Sequence, residues 1–272
     1  MSPSAPVEPL DTHVHVWSDP PRHPDDLTRD FDGSLPALVR DMDAAGVQQA
    51  WVVTPTAMTG DESLTEGAVS THPTRLIGMA RGQVDSAADS PDPVALTAPT
   101  SLRHARIDVR GLERGNATTA ALTRFAATVP GVLAVHGDAD AAPLIRAMAR
   151  ARRGRWTLVD HMGRPDVLAG PSWGVGAIIG LADEPDIIMK TPNLGFFSHQ
   201  GFPFVDLGPV VEACVTAFGP DRVVWGSDWP LCTRWATYEE NVAAIKEILH
   251  DRGLGEISPA VMGGTARQVL TP

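Results

Sequence analysis

Residues 221–230 read DRVVWGSDWP, a short apolar run followed by a carboxylate. Val223, Val224 and Trp225 are typical of a strand buried on both faces, and such strands belong to parallel sheets covered by helices. Asp228 comes just after this run, between a glycine and a proline. It is either a turn residue that bonds nearby backbone N–H groups or a functional carboxylate at the end of a strand. The rest of the chain decides between these interpretations.

Seven other apolar runs alternate with Ala-rich stretches of helical character. The predicted strands are Leu10–Trp17, Gln49–Val53, Arg75–Ala80, Ala105–Val109, Val132–His136, Trp156–Asp160, Ile187–Lys190 and Val223–Trp225. The predicted helices are Leu35–Ala45, Glu62–Thr71, Thr118–Ala127, Ala141–Arg152, Val205–Phe218 and Tyr238–Arg252, with weaker helical patterns around Pro91–Thr97 and Ser172–Ala182. Residues 259–270 predict a short closing helix.

Eight strand–helix units in 272 residues predict an α/β fold, a single-domain (β/α)8 TIM barrel over residues 1–272. A doubly wound open sheet is the alternative. It usually carries a Gly-rich phosphate loop after its first strand, and none follows Trp17.

The composition limits the function classes. A net charge of −11 without a basic cluster argues against nucleic acid as a partner. The 43% of apolar residues include no unbroken run of about 18, so we expect no membrane span or membrane partner. The N-terminus lacks a signal-peptide pattern, which predicts a cytoplasmic protein. Cys214 and Cys232 form neither a disulfide framework nor a CxxC pair. The oligomeric state is not specified by these features.

Polar side chains stand at the carboxyl ends of the predicted strands, where such barrels build their active sites. His13 and His15 are two residues apart on the first strand, so both point to the same side. His136 ends the fifth strand, His161 follows the sixth and Asp228 follows the eighth. Converging imidazoles and a carboxylate suit a divalent metal such as zinc, and they also suit a metal-free acid–base pair.

Three motifs resemble the amidohydrolase superfamily, and more narrowly its amidohydrolase-2 branch of lactonases and decarboxylases. They are His13-x-His15, DHMGRP at 160–165 and WGSDWP at 225–230. The resemblance runs from DTHVHVW at 11–17 to GGTARQVL at 263–270. The chain is similar in these motifs to 2-pyrone-4,6-dicarboxylate lactonases and sugar-acid lactonases. The resemblance implies a hydrolase that opens a lactone or similar cyclic ester of a small carboxylated molecule.

The resemblance implies a catalytic role for four residues. Asp228 would be the general base that takes a proton from the attacking water. His13, His15 and His161 would polarise the substrate carbonyl, directly or through a metal. Because Asp228 follows an apolar strand, we expect partial desolvation to make it a stronger base than a carboxylate in water.

The resemblance also implies binding roles. Arg106, in RHARIDV at 103–109, matches an Arg of the branch that would anchor a carboxylate. Arg164 is either a second anchor or a turn residue, and Lys190 is either a substrate ligand or a buried ion-pair partner. The zinc decarboxylases of the branch imply His13, His15, His136 and Asp228 as metal ligands, whereas some of its lactonases use no metal. The cofactor is therefore a divalent ion, with zinc preferred, or none.

Three other functions stay open at this stage. They are a metal-dependent, non-oxidative decarboxylation of an unsaturated or aromatic acid, the hydrolysis of a C–N bond, and non-catalytic binding of a small acid. Non-catalytic binding would give the paired histidines and Asp228 no shared function. In each case the expected partner is a small molecule, and an anionic one is favoured.

Several other residues near the predicted site are interpreted by position. Asp11 and Asp160 each precede a histidine, and alternation along a strand predicts that they face away from the site. The loop at 193–203 is a lid, a pocket wall or a packed surface loop, and His199 within it is expected to face solvent. The remaining candidates for anion binding are Arg81, Arg110 and Arg234.

Overall fold

A computed structural model describes residues 8–18, 30–56, 61–84, 100–112 and 115–270, together with the backbone of residues 94–96. The strands are β1 (Leu10–Val14), β2 (Gln49–Val53), β3 (Leu76–Val84), β4 (Val94–Leu96), β5 (His104–Asp108), β6 (Leu133–His136), β7 (Thr157–Val159), β8 (Ile187–Lys190) and β9 (Val223–Val224). Eight of them pair in parallel in the order β1-β2-β3-β5-β6-β7-β8-β9, and β4 pairs antiparallel with β3.

The two ends of this sheet meet. The backbone N–H of Thr12 donates to the carbonyl of Trp225 at 3.0 Å, and that of His15 donates to the carbonyl of Trp229 at 2.8 Å. A parallel bridge joins Val14 to Trp229. These bonds bring β1 beside the segment that follows β9, so the sheet is a nearly closed (β/α)8 barrel and the prediction of a TIM barrel is confirmed.

The helices are α1 (Leu35–Ala45), α2 (Ser63–Thr71), α3 (Asn116–Thr128), α4 (Ala142–Ala151), α5 (Gly176–Ile179), α6 (Leu194–Phe197), α7 (Gly208–Phe218), α8 (Tyr238–Asp251) and α9 (Thr265–Leu270). Local sequence sets several of their ends. The Ser34 hydroxyl accepts from the backbone N–H of Ala37 at the start of α1, and Gly46, with φ 68°, ends that helix. Thr237 and Glu240 form a capping box at the start of α8.

Two weak helical patterns and one helix start differ from the prediction. Residues 94–96 form strand β4 rather than a helix, and residues 91–93 and 97 lie outside the described part of the chain. Within 172–182, only the four residues of α5 are α-helical. Residues 205–207 form a separate 3-10 turn, so α7 begins at Gly208. The closing helix is confirmed as a π-helical turn at 260–264 followed by α9.

The apolar core has two parts. The larger lies between the sheet and the helices, and Cys214 is buried in it. The smaller joins inward side chains of the strands, such as Leu10, Trp51 and Ile188, to Ala266 and Val269 near the C-terminus. Helix α9 thus closes one end of the barrel with apolar contacts and leaves the carboxyl ends of the strands for polar side chains. Among the described residues, no helix has the length and apolar character needed to cross a membrane; a cytoplasmic location stays a prediction.

Candidate active site

The two histidines of strand β1 lie side by side, as their spacing predicts. Their Nε2 atoms are 3.2 Å apart, and His13 and His15 are 1% and 7% exposed. His15 Nδ1 lies 2.7 Å from the carbonyl oxygen of Val53 at the end of β2. A carbonyl can only accept, so Nδ1 of His15 carries the hydrogen of this bond and its Nε2 is turned toward His13.

Asp228 meets this pair from the opposite end of the sheet. Its Oδ1 lies 3.2 Å from Nε2 of His15 and 3.5 Å from Nε2 of His13. The backbone of Asp228 has φ 68° and donates its N–H to the carbonyl of His13 at 2.9 Å. Asp tolerates this left-handed conformation better than most residues, and strained backbone is concentrated at functional sites. The amide of Asn193 donates to Oδ2 of Asp228 at 3.1 Å.

Lys190 stands behind the histidines. It ends strand β8, is fully buried, and its Nζ lies 2.8 Å from Nδ1 of His13 and 3.3 Å from Oδ1 of Asp160. The same Nζ is 3.4 Å from both ring nitrogens of His161. Of the two interpretations of Lys190, the buried ion-pair partner therefore agrees with its surroundings; Lys190 is not among the residues that line the pocket described below.

Asp160 does not face away from the site, so the prediction was wrong for it, whereas Asp11 does face away, since its Oδ2 accepts from the hydroxyl of Tyr238 on α8. The left-handed backbone that begins at His161 puts two consecutive side chains on the same side, and Oδ2 of Asp160 accepts from Nε of Arg106 at 2.6 Å. Asp11 accepts the backbone N–H groups of His13 and Ser227 on Oδ1, each at 2.9 Å, so it bonds the backbone rather than the imidazoles. Both carboxylates hold the histidine segments in place.

The motif DHMGRP forms a left-handed turn. His161, Met162, Gly163 and Arg164 all have positive φ, between 50° and 71°. The backbone N–H of Asn193 points to Nδ1 of His161 at 3.3 Å, which makes that nitrogen an acceptor and leaves Nε2 to carry the ring hydrogen. The turn thereby places His161 beside His13, with 5.5 Å between ring centroids.

His136 lies at the end of β6, but it is engaged by other side chains. Its Nδ1 is 3.0 Å from Nη2 of Arg106 and 3.4 Å from Oδ2 of Asp108, and its Nε2 is 3.5 Å from Nη1 of Arg164. Within the described part of the chain, two groups of side chains could hold a metal ion: His13 with His15 and Asp228, and His13 with Asp160 and His161. His136 belongs to neither group, and the other three predicted ligands, His13, His15 and Asp228, lie together in the first.

The first group has spacings that suit a metal ion. Ligand atoms about 2.0–2.1 Å from a tetrahedral ion are roughly 3.3 Å from one another. The three atoms here are separated by 3.2, 3.2 and 3.5 Å. Two imidazoles and a carboxylate with an open position also match the ligand types of catalytic zinc sites. The same separations also fit hydrogen bonds among the three side chains.

Burial keeps three histidines of the site neutral, namely His13, His136 and His161. Burial, followed by the positive charge of Lys190, lowers the pKa of His13 to about 3 and that of His161 well below its usual value. Burial likewise lowers the pKa of His136 to about 4. Neutral imidazoles can ligate a metal or take part in hydrogen bonds as both donor and acceptor.

Asp228 differs from the expectation of a strengthened base. Burial raises its pKa, but the close imidazoles of His15, His161 and His13 outweigh burial and hold the pKa well below its usual range. The apolar strand pattern did not reveal these neighbours, and they lower the pKa of Asp228 where burial alone was expected to raise it. The carboxylate is therefore ionised and ready to accept a proton, although it holds that proton weakly.

A pocket of about 300 Å³ opens above these residues. His15, His161 and Asp228 line its floor. The loop at 193–203 forms part of its wall through Asn193, Phe196 and Phe197, which agrees with the interpretation of that loop as a pocket wall. Further aromatic rings come from Trp17, Phe31 and Trp235. His199 is exposed, as expected, and is not part of this lining.

Four arginines also line the pocket, and each is paired with a carboxylate. Arg106 pairs with Asp160 at 2.6 Å, Arg110 with Asp108 at 2.6 Å, Arg164 with Asp138 at 2.9 Å and Arg234 with Asp30 at 2.8 Å. Arg81 is buried and does not line the pocket. The positive charge available to an anionic ligand is therefore smaller than the number of arginines suggests.

Sequence comparison agrees with this geometry. A model of the amidohydrolase family matches residues 10–271, nearly the whole chain. The chain belongs to the amidohydrolase family. This amidohydrolase is 29% identical over 136 residues to an L-fucono-1,5-lactonase of Burkholderia multivorans, a match that covers 46% of each protein. The chain thus spans about half the length of that curated relative. It is 25% identical over 233 residues to a 4-sulfomuconolactone hydrolase of Hydrogenophaga intermedia, covering 81% of this chain and 74% of that one.

Solved structures share the fold of this amidohydrolase. A Pseudomonas putida protein named for 2-pyrone-4,6-dicarboxylic acid hydrolysis has a TM-score of 0.72 at 21% identity and covers 97% of both chains. A zinc-bound amidohydrolase of Burkholderia multivorans has a TM-score of 0.74 at 19% identity, covering 97% of this chain and 100% of that one. These likenesses confirm the barrel.

Sequence reasoning missed Asn193 and the roles of Asp11 and Asp160. Asn193 was read only as the first residue of a loop, although it comes three residues after the end of β8, where barrel active sites are built. Tyr238 was also not assigned a partner; its hydroxyl donates to Asp11 Oδ2 at 2.7 Å. A position just after a strand is a usable signal for Asn193, whereas the partners of the two aspartates lie on other elements of the fold, which no local pattern reveals.

Proposed function

We propose that this amidohydrolase opens the ring of a small lactone that carries an acidic group, with Asp228 as the general base. One observation supports this most directly: the ionised carboxylate of Asp228 and the Nε2 atom of His15 lie 3.2 Å apart at the floor of a pocket of about 300 Å³. A pocket of this size suits a small molecule. The lactonase names of its relatives support the same reaction class.

The residues divide the reaction between them. Asp228 takes a proton from water while the water oxygen attacks the lactone carbonyl carbon, and Asn193 keeps the carboxylate turned toward the imidazoles through its bond to Oδ2. His161, which carries its hydrogen on Nε2, donates to the developing negative charge on the carbonyl oxygen, and the β1 histidines hold Asp228 beside it. The ring C–O bond then breaks, and Asp228 returns its proton to the leaving oxygen, which gives a hydroxy acid.

A divalent ion, if bound, would be held by His13, His15 and Asp228 and would polarise the carbonyl. Zinc suits these ligand types best. The predicted fourth ligand, His136, is better explained by its contacts with Arg106 and Asp108.

The acidic group of the substrate would bind at the arginine side of the pocket. Arg106 lines the pocket, but its guanidinium also bonds Asp160 and His136. Arg164 is less enclosed: it bonds Asp138 through Nε, and its guanidinium lies 5.5 Å from the centre of the Phe197 ring. We therefore infer that Arg164 is the principal anchor, with Arg106 as a second one, and that one acidic group rather than several is recognised.

The test compares the wild-type enzyme with Asp228→Asn on carboxylated lactones, matched uncharged lactones and unsaturated or aromatic acids. We expect hydrolysis of carboxylated lactones by the wild type and a loss of about 10²- to 10⁴-fold in kcat for Asp228→Asn, with binding retained. Release of CO2 from the acids without lactone opening would establish the decarboxylase instead. Ligand binding without turnover by either protein would identify a binding barrel and reject the proposal.

A further inference from the structure

A continuous row of hydrogen-bonding groups runs from β2 to β8 through the β1 histidines. At one end, the Val53 carbonyl fixes the hydrogen of His15 on Nδ1, so Nε2 of His15 is an acceptor. At the other end, Nζ of Lys190 lies 2.8 Å from Nδ1 of His13. An ammonium group can only donate, so it makes Nδ1 of His13 an acceptor and places the ring hydrogen on Nε2. That Nε2–H then faces two acceptors that share it, Nε2 of His15 at 3.2 Å and Oδ1 of Asp228 at 3.5 Å.

Metal binding would require the opposite arrangement at His13. A metal ligand must offer an unprotonated nitrogen, so Nε2 of His13 would have to lose its hydrogen and Nδ1 would have to carry one. With Lys190 donating to Nδ1, this tautomer has two donors facing each other at 2.8 Å. A ligating histidine ordinarily donates its other N–H to a carboxylate or a carbonyl. Here Asp160 is 3.6 Å from that nitrogen, farther away than the ammonium.

The charges around Lys190 also disfavour a bound divalent ion. The ammonium of Lys190 lies among His13, Asp160 and His161, which are the members of the second group of possible metal ligands. Together with Arg106, it offsets the charges of Asp160 and Asp228. A divalent ion on the first group would add two positive charges close to a fully buried ammonium, which is unfavourable where the dielectric constant is low.

The chain makes room for this lysine. A Cβ atom on Gly226 would lie 2.8 Å from Cδ of Lys190 and 3.1 Å from Cβ of His13. Glycine at this position therefore leaves space for the lysine side chain to pass between β9 and β1 and reach the histidines. The contact between Lys190 and His13 is thus supported by the backbone beside it as well as by its own distance.

We propose that Lys190 is a positioning residue that fixes the hydrogen of His13 on Nε2 and thereby weakens the binding of a divalent ion by His13, His15 and Asp228. The site then acts on the substrate carbonyl through hydrogen bonds. The proposal deepens the proposed function at the same site, but it concerns metal affinity and tautomeric state rather than turnover. A failure of lactone hydrolysis and a failure of this proposal are therefore distinguishable.

The first test measures zinc affinity by calorimetry on chelator-treated protein. We expect Lys190→Met, which keeps the length of the side chain and removes its charge, to bind zinc about 10- to 100-fold more tightly than the wild type. The matched control is Lys246→Met, at the other lysine of the chain, which is exposed on α8 and should leave zinc affinity unchanged. Damage to the fold would weaken binding, so a gain cannot be a structural artefact. Unchanged or weaker binding by Lys190→Met would overturn the proposal.

A second measurement uses the wild-type protein and does not depend on the folding of the variant. Long-range ¹H–¹⁵N spectra of histidine-labelled protein distinguish the two tautomers, and His13 is assigned from the signal that is lost in His13→Asn. We expect the hydrogen of His13 on Nε2 in the wild type, and on Nδ1 in Lys190→Met if that variant folds. A wild-type His13 with its hydrogen on Nδ1 would contradict the proposal.

Discussion

At the scale of single residues, Asn193 connects two parts of the site. Its side-chain amide donates to Oδ2 of Asp228, and its backbone N–H points to Nδ1 of His161. The carbonyl oxygen of the same side chain accepts from the backbone N–H of Phe196 and so caps α6. One residue thereby sets the orientation of the base, the tautomer of an imidazole and the start of the helix in the pocket wall.

We predict that Asn193→Asp lowers kcat by about 10- to 100-fold with little change in KM. The new carboxylate can still cap α6, but it cannot donate to Asp228, and its charge turns Asp228 away from the imidazoles. Steady-state kinetics on the best lactone measure the effect. The matched control is Asn241→Asp, because Asn241 is also buried and its amide bonds backbone carbonyls away from the pocket. An equal loss of kcat in both variants would indicate general damage instead.

At the scale of secondary-structure elements, a second carboxylate, Asp11 of β1, joins three parts of the fold. Its oxygens accept the backbone N–H groups of His13 and Ser227 and the hydroxyl of Tyr238, which begins α8. Burial raises the pKa of Asp11, and these donors oppose the rise. This carboxylate joins β1, the segment after β9 and α8, so it fixes the two strand ends that supply the β1 histidines and Asp228.

We predict that Tyr238→Phe destabilises the protein by about 1–3 kcal/mol, because the buried carboxylate loses one of its donors. The phenyl ring keeps the packing against Trp225, whose ring centroid is 6.3 Å away. Since the two backbone donors remain, we expect kcat to change by less than about threefold. Urea unfolding measures the first quantity and lactone kinetics the second. A large fall in kcat with unchanged stability would assign Tyr238 a direct role in the site.

The elements that could be predicted from sequence are those with a periodic pattern. Apolar runs located the eight parallel strands, and the fixed geometry of a barrel then placed His13, His15, His161 and Asp228 together. Turns have no such period. The left-handed backbone at 161–164 keeps His161 on the same side as Asp160, beside His13, and no alternation rule contains that turn. Lys190 was visible as a polar end to an apolar strand, but its partner could not be chosen, because the partner lies 177 positions away along the chain.

At the scale of the whole molecule, stability depends on histidines that the fold keeps neutral. His104 illustrates this away from the active site. It begins β5, stacks on Trp51 with 6.0 Å between ring centroids, and its Nδ1 accepts the backbone N–H of Val132 at 2.9 Å. Burial, followed by the charges of Arg103 and Arg152, lowers its pKa from 6.5 to about 4. The unfolded chain therefore binds a proton on this residue at a higher pH than the folded protein does.

The stabilising contribution of a neutral His104 is complete above pH 6.5 and is lost as the pH falls toward 4, because protons then favour the unfolded state. We predict that His104→Asn, whose side-chain oxygen can accept from Val132, loses up to about 2 kcal/mol less stability between pH 7 and pH 5 than the wild type does. Urea unfolding at the two pH values measures the difference. His250→Asn is the control, since the His250 side chain is 83% exposed and lies on α8 rather than on β5. If His104→Asn and the wild type lose the same free energy, the acid sensitivity of the barrel comes from its other buried histidines.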